Sequence, residues 1–534
     1  MLLRLHCTIF VGETSKMKRI AASIWMTLWA VVMIAAPIGD VNGDGEVGVP
    51  DVTLLVSIVS SNGADVDEPT LARADVNGDG EVGVADVTRL VSIILSEEQP
   101  VTPAPTGYDY VWDPTVLPEI HIHISQDEWQ NLLNLYDVNP RTRQYVKASD
   151  FVFVHDNEYT VIDNIGLRLK GNTSRRRPQV GGRKQHVHFG VNLRKYVKDA
   201  NHELQGVRKL HLKWFKDDPA YVRELYCYNL FRDFGVWTAP RDHYCRLWLQ
   251  VEGEPEETYY GVYEMIEHVD ERYVKQRMDS AQFKSDKGNL WKCKYVNGMA
   301  SLTNPYGADM WWDDNSDNIH TYELKTDNAS FEDAKAQLVD FMLKLNGKGR
   351  DSFHNWIQQV CDVDLLLKTY AVNVAVGMWD DYWNNGNNYY LYFDSTDLYD
   401  YKFYLIPYDY DNTLGTSLQC GNQSDSGRQN PLEWGRNDIP LIKRILEYDE
   451  WREIYVNYLK QLVSPVNDLL HVDRSTARIL AWQAMIAPYV ANDTGEDMEI
   501  RDEPAPWGNH SEYRLIEKNN NFFIRKRESI NALP

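Results

Sequence analysis

The chain is short of cysteine, of positive charge and of long apolar runs, and each shortage closes off a class of protein. Its 534 residues hold six cysteines, with no Cys-x-x-Cys pair. Neither a zinc site nor a disulfide framework is indicated, and isolated cysteines read as small buried apolar residues. Lys and Arg number 55 against 78 Asp and Glu, a formal net charge of −23, which argues against nucleic acid as a general partner. One segment alone is apolar enough to consider as a membrane span, Ile20 to Ala36. It follows the basic Met17-Lys18-Arg19 and closes on Ala35 and Ala36, the pattern of a secretory signal. Residues 1–36 are therefore read as a signal peptide, with Met17 an alternative start. An uncleaved anchor is the other reading, since spanning takes about 20 residues. The protein is expected outside the cytoplasm, secreted or at the cell surface. At this length two or three domains are expected.

What the chain does have is acid in patterns. Residues 40–51 and 75–86 are near-identical twelve-residue segments, each beginning Asp-Val-Asn-Gly-Asp-Gly-Glu-Val-Gly-Val. Their oxygen-bearing residues, Asp40, Asn42, Asp44, Glu46 and Asp51 in one and Asp75, Asn77, Asp79, Glu81 and Asp86 in the other, stand at EF-hand ligand spacing, with Gly45 and Gly80 at the sharp turn. The Glu at position 7 would offer its backbone carbonyl. Acids this dense repel one another without a cation, so two Ca²⁺ sites are expected. Each loop runs into an apolar helix, Val52–Val59 or Val87–Leu95.

Residues 40–96 resemble a dockerin domain, a small all-α module with paired EF-hand-like loops. The resemblance implies a docking partner, a cohesin or another protein. Val49-Pro50 and Val84-Ala85 stand where Ser/Thr pairs are frequent in that family. The module is bounded at residues 37–96. Residues 97–116, with Pro100, Pro103, Pro105 and interspersed Thr, read as an extended linker, and residues 117–534 as a large separate domain.

Within that domain, two carboxylate pairs, Asp380/Asp381 and Asp409/Asp411, stand at the ends of what reads as a strand hairpin, Tyr389–Tyr392 and Phe403–Ile406. A helix-like apolar run, Val363 to Met378, feeds the first pair. A hairpin brings its ends together, so four carboxylates and Asn388 are expected to crowd one space, where they repel unless a cation or shared proton intervenes. Asp and Asn oxygens suit a hard ion such as Mg²⁺ that also takes phosphate oxygens. The same residues also make ordinary turns, and paired acids also serve glycosidases. Upstream, Arg168 to Lys198 holds ten Lys/Arg and no Asp/Glu. It opens on Lys170-Gly171-Asn172-Thr173-Ser174-Arg175 after a strand ending at Leu169, which reads either as a phosphate cradle or as a solvated basic loop. Lys213, or else Lys170, is a candidate to neutralise phosphate oxygens, with Glu267 a candidate to pair with and orient that lysine.

Taken in order, these segments resemble the CotH (spore coat protein H) kinase family, an atypical branch of the protein-kinase-like fold. The strongest carriers are Trp379-Asp380, Asn388-Tyr389-Tyr390-Leu391-Tyr392 and Ile406-Pro407-Tyr408-Asp409-Tyr410-Asp411-Asn412-Thr413. Lys170-Gly171-Asn172, Arg223-Glu224, Gly261-Val262-Tyr263 with Glu267, and Gly288-Asn289-Leu290 with Lys292 support them. The resemblance implies an α+β, two-lobed fold and transfer of the ATP γ-phosphoryl group to protein hydroxyls with Mg²⁺ or Mn²⁺. By it Asp380 resembles the catalytic carboxylate, and Asn388 and Asp409, with Asp411 the alternative, resemble metal ligands. Lys170, Gly171, Asn172, Ser174 and Arg175 would contact the nucleotide. The strand His186–Leu193 carries Gly190 and Asn192 where members often carry lysine. The competing functions are a non-catalytic kinase-like binding protein in a cell-surface or polysaccharide-degrading assembly, and a polysaccharide hydrolase.

Overall fold

The computed structural model describes residues 39–44, 47–60, 63, 66–87, 89–90, 106–199, 201–280, 282–314, 316–416, 425–466, 469–506 and 512–534. The signal at 1–36, Gly45 and Glu46 in the first acidic loop, Cys7, Cys420 and the linker through residue 105 lie outside them. Among the described residues no helix is long and apolar enough to cross a membrane. The chain falls into two compact units, Met1–Ala104 and Pro105–Pro534.

In the first unit, both acidic loops close on themselves in the same way. Asp51 accepts the backbone N–H of Asn42 (3.0 Å) and of Gly48 (2.8 Å), and Asp86 accepts those of Asn77 (3.0 Å) and Gly83 (2.8 Å). Helix α1, Val49–Ser60, follows the first loop, and the backbone is again helical over 84–87 after the second. Helix α2, Glu68–Ala74, starts at Asp67, whose side chain accepts the Thr70 N–H at 2.8 Å. Val41, Leu55, Ile58, Ala74, Val76 and Leu90 bury into one small core.

The second unit mixes helix and sheet, an α+β architecture. Its first half is a closed barrel in the order β1-β2-β3-β6-β7-β9-β8, built from β1 (Glu119–Ile124), β2 (Val146–His155), β3 (Glu158–Leu169), β6 (Phe189–Asn192), β7 (Lys209–Lys213), β8 (Asp242–Val251) and β9 (Thr258–Glu267); β4 (Gln179–Val180) and β5 (Arg183–Lys184) form a separate ribbon. The parallel pairing of β1 with β8 closes it. Strict alternation explains β1: Ile120, Ile122 and Ile124 point into the core while Glu119, His121 and His123 face out. Helix α3, Gln126–Val138, is capped by Ser125 and buries Trp129, Leu132 and Leu133. Residues 107–112, placed by composition in the linker, instead form a 3-10 turn that buries Val111 and Trp112 in the barrel core.

The second half carries a sheet in the order β11-β12-β10-β13-β14, from β10 (Asn289–Cys293), β11 (Met310–Trp312), β12 (Tyr322–Leu324), β13 (Tyr389–Phe393) and β14 (Phe403–Pro407). Helices α4 (Arg223–Asp233), α5 (Glu271–Asp279), α6 (Phe331–Gly347), α7 (Arg350–Val360) and α8 (Val363–Ala375) accompany it, the last capped by Asp362 on the Leu365 N–H at 3.0 Å. The anticipated run to Met378 stops earlier because Gly377 adopts φ +71°, a left-handed turn that ends the helix. That turn delivers Trp379 and Asp380 to the site. All five residues of β13 are buried, which fixes the hairpin of β13 and β14 in register from Tyr389↔Pro407 to Phe393↔Phe403.

Candidate functional site

Three elements converge around one ammonium group. Strand β7 ends on Lys213, the chain leaving β14 turns at Asp409 with φ +62°, and α4 offers Glu224 and, one turn on, Tyr228. The turn is held from α4: the Asp409 N–H donates to the Tyr228 hydroxyl (2.9 Å) and the Tyr410 N–H to Glu224 Oε1 (3.1 Å). Lys213 Nζ donates to Glu224 Oε2, lies 2.7 Å from Asp409 Oδ1 and is 3.5 Å from Asp411 Oδ2. One oxygen from each of Glu224, Asp409 and Asp411 lies within 4.8 Å of the others.

The electrostatics follow from that crowding. Burial alone would discharge Lys213, but Asp409, Asp411 and Glu224 more than offset it and hold the ammonium charged. Burial raises the Asp409 carboxyl too, yet the adjacent Lys213 brings it below the usual range. Asp411 is pushed up to about 8, by burial and by the charges of Asp409 and Glu224. Its Oδ1 is buried with no hydrogen-bond partner. Three carboxylates therefore share the ammonium of Lys213, and an orphaned acceptor is left over. An all-oxygen donor set in that state fits a hard divalent ion, with Asp409, Asp411 and Glu224 as the holding residues.

Asp380 stands beside this cluster, close enough for its charge to bear on Asp411. It collects three side-chain amides: Asn385 (2.5 Å), Asn387 (3.0 Å) and Asn388 (3.0 Å). Burial raises its carboxyl above the usual range, and those donors offset only part of the rise. Asn388, at φ +53°, also donates to the Asp380 carbonyl oxygen (3.0 Å), so only its Oδ1 remains as a ligand atom.

Two expectations need correction. The four-carboxylate crowd does not form, because Asp381 turns away. It accepts from Asn384 N (2.8 Å), Asn384 Nδ2 (2.9 Å) and Asn373 Nδ2 (2.6 Å), capping the short helix Tyr382–Asn385. Glu224 supplies the third carboxylate in its place. Nor does Glu267 meet Lys213. The β7–β9 register sets Lys213 opposite Glu264 and Leu210 opposite Glu267, so Glu267 is displaced three residues along the strand, about 10 Å at the usual rise. It is buried against Arg277 (2.9 Å to each oxygen) and the Tyr108 hydroxyl (2.6 Å).

The basic segment is mostly spent elsewhere. Arg176 pairs with Glu496, Arg177 with Asp137 and Lys184 with Glu254. Arg175 donates to the carbonyls of Gly171 (2.7 Å), Pro140 (3.1 Å) and Thr142 (2.5 Å), and burial lowers it to about 10. It fastens the loop. Gly171 takes φ +95°, and a side chain there would strike Ser174 Oγ. Asn172 is exposed, and Ser174 is half-buried. Lys170 alone of this stretch brings its amine to the site, its Nζ 2.6 Å from His211 Nδ1, and burial holds it well below the usual lysine range. Sequence reasoning gave Glu224 no role beyond its place in the Arg223-Glu224 pair, and passed over Tyr228 and His211.

Three carboxylates and a lysine thus meet at one point of a mixed helix-and-sheet domain. The chain belongs to the CotH kinase family: the CotH kinase protein model matches residues 167–529. Residues 38–95 match the Dockerin type I domain, a module that binds calcium and typically binds cohesins. No curated protein matches the chain.

Proposed function

We propose that the Pro105–Pro534 unit is an ATP-dependent protein kinase acting outside the cytoplasm, with a calcium-bound dockerin module that docks it to a cohesin-type partner. The observation that carries this reading is the convergence of Lys213, Glu224, Asp409 and Asp411 with Asp380 alongside. Mg²⁺ or Mn²⁺ would be held by Asp409 and Asp411, with Glu224 and Asn388 Oδ1 in support, and would neutralise charge on the phosphates, the main requirement of phosphoryl transfer. Asp380 accepts the proton of the acceptor hydroxyl as its oxygen bonds to the γ-phosphorus and ADP leaves. The three asparagine amides fix that carboxylate in place. Lys170 would face the nucleotide, with Arg175 fastening the Gly171–Ser174 loop beside it. Lys213, within reach of every carboxylate of the cluster, leaves the hydrolase reading without the isolated pair of acids it needs.

The test is transfer of labelled γ-phosphate from ATP to a generic protein acceptor by the full chain. Wild type should transfer with Mg²⁺ or Mn²⁺ and stop with EDTA. Asp380→Asn should lower the rate by about 10²–10⁴-fold, the usual contribution of a positioned base. Equal rates in wild type and Asp380→Asn would discard the assignment. The absence of β6 lysine favours a second reading, a non-catalytic binding protein, and the lack of both transfer and calorimetric nucleotide binding would select it.

A further inference from the structure

The outer face of β1 carries two histidines for which phosphoryl transfer has no use. Glu119, His121 and His123 share that face because side chains alternate along a strand. Strand register gives each a neighbour. Glu119 lies opposite Arg246 and His121 opposite Trp248 on β8, and His123 lies opposite Asp150 on β2. Glu257, one residue before β9, reaches both rings from the β8–β9 turn.

The ring nitrogens fall into two sets. One nitrogen of each ring is held by a carboxylate of the sheet: His121 Nε2 lies 3.3 Å from Glu119 Oε2, and His123 Nδ1 lies 2.5 Å from Asp150 Oδ1. The other nitrogens share a single carboxylate, with His121 Nδ1 3.2 Å and His123 Nε2 3.0 Å from Glu257 Oε1. Trp248 stacks on His121 with 4.7 Å between centroids and 10° between planes, which steadies that ring. A histidine that ligates a metal almost always gives its second nitrogen to a carboxylate or carbonyl, which sets its tautomer and orientation. Both rings have that support already, and both turn the remaining nitrogen to one acid.

We propose that His121 Nδ1, His123 Nε2 and Glu257 form a Zn²⁺ site on the outside of the barrel, with water as the fourth ligand and Glu119 and Asp150 as the supporting acids. Two imidazoles and a carboxylate suit Zn²⁺ and exclude Ca²⁺ and Mg²⁺, which take oxygen. Of the three acids around the rings, Glu119 alone pairs with an arginine among the described residues, Arg246. A dication therefore neutralises Glu257 and Asp150, which no lysine or arginine does. The three ligand atoms are spread along the Glu257 carboxylate rather than gathered as those of Glu224, Asp409 and Asp411 are. The ion would enter between the rings and draw all three to about 2.0–2.2 Å. All three side chains are half-buried, so solvent reaches them and they have room to close. Bound there, the ion ties β1 to the β8–β9 turn beside the β1–β8 pairing that closes the barrel. The site stands whether or not the domain transfers phosphate.

Calorimetric titration of the full chain with ZnCl₂, in millimolar Ca²⁺ and Mg²⁺ to fill the oxygen sites, tests it. Wild type should take up one Zn²⁺ at micromolar concentration or below, and its Tm should rise with the metal. The double variant His121→Gln/His123→Gln should lose that uptake. Glu257→Ala, which alters only a turn, should weaken it at least tenfold and lose the Tm rise. Asp150→Asn, which touches no ligand atom, should weaken it about 10–100-fold, the usual effect of removing a supporting acid. Asp409→Ala should bind as wild type does. Undiminished uptake in the double variant and in Glu257→Ala would overturn the site, as would no uptake by wild type. Uptake lost in Asp409→Ala and kept in the double variant would assign the ion to the acidic cluster and overturn it equally.

Discussion

Lys213 and Glu267 show how differently two buried ionic residues bear on this protein. Lys213→Met leaves Glu224, Asp409 and Asp411 facing one another, so the variant should lose about 3 kcal/mol in urea unfolding. Millimolar Mg²⁺ should restore part of that loss, because a second cation then occupies the cluster; the same loss with and without Mg²⁺ would show that the cluster holds no metal. Glu267→Gln removes the bidentate partner of Arg277 and should cost a similar amount, about 3 kcal/mol, while nucleotide affinity stays as in wild type. Burial raises the Glu267 carboxyl, but Arg277 and Tyr108 more than offset it and its pKa is lowered. Its contribution is therefore complete above the unfolded value of about 4.3 and is lost as pH falls through the lower folded value, so the gap between wild-type and Glu267→Gln stability should narrow in acid. Asp380, Asp409 and Lys213 were legible as residues because their types and spacing carry chemistry. The role of Glu224, named only as part of the Arg223-Glu224 pair, was not, because it comes from a helix face meeting a turn almost two hundred positions later.

At the scale of elements, alternation and turn residues revealed the β13–β14 hairpin and, in the barrel, β3 and β6. They failed where strands are three residues long, as in β11 and β12, since a period of two cannot show itself over so few positions. The end of α8 was also hidden: an apolar run continued to Met378, but Gly377 turns at φ +71°. A Cβ there would come within 3.0 Å of Ser426 Cβ and 3.2 Å of Phe522 Cζ. Gly377→Ala should therefore destabilise by about 1–3 kcal/mol and lower phosphoryl transfer, since it misplaces Asp380; unfolding and transfer assays on the same variant check this. On the outer face of β1, His123 meets Asp150 (2.5 Å) and Glu257 (3.0 Å). Burial pulls its pKa down, but both carboxylates more than offset that and raise it. Its stabilising contribution is present below the unfolded value of about 6.5 and fades as pH rises through the higher folded value. His123→Gln should flatten the dependence of Tm on pH across that interval, as read by thermal melts from pH 6 to 8.5.

For the whole molecule, the duplicated acidic loop and the Pro/Thr-biased stretch after it set a small module apart from a large domain, whereas the start of the large domain was hidden, because Val111 and Trp112 lie in that stretch. The two acidic loops are closed by Asp51 and Asp86, so Asp51→Ala and Asp86→Ala should each remove one bound Ca²⁺ in a chelator competition, leaving nucleotide affinity untouched. The central claim is that Asp409 and Asp411 bind a divalent ion together with a nucleotide. Paramagnetic titration of Mn²⁺ into the Ca²⁺-loaded full chain with a non-hydrolysable ATP analogue tests it most directly. The account predicts Mn²⁺ uptake that needs the analogue and disappears in both Asp409→Ala and Asp411→Ala; undiminished uptake in those two variants would contradict it.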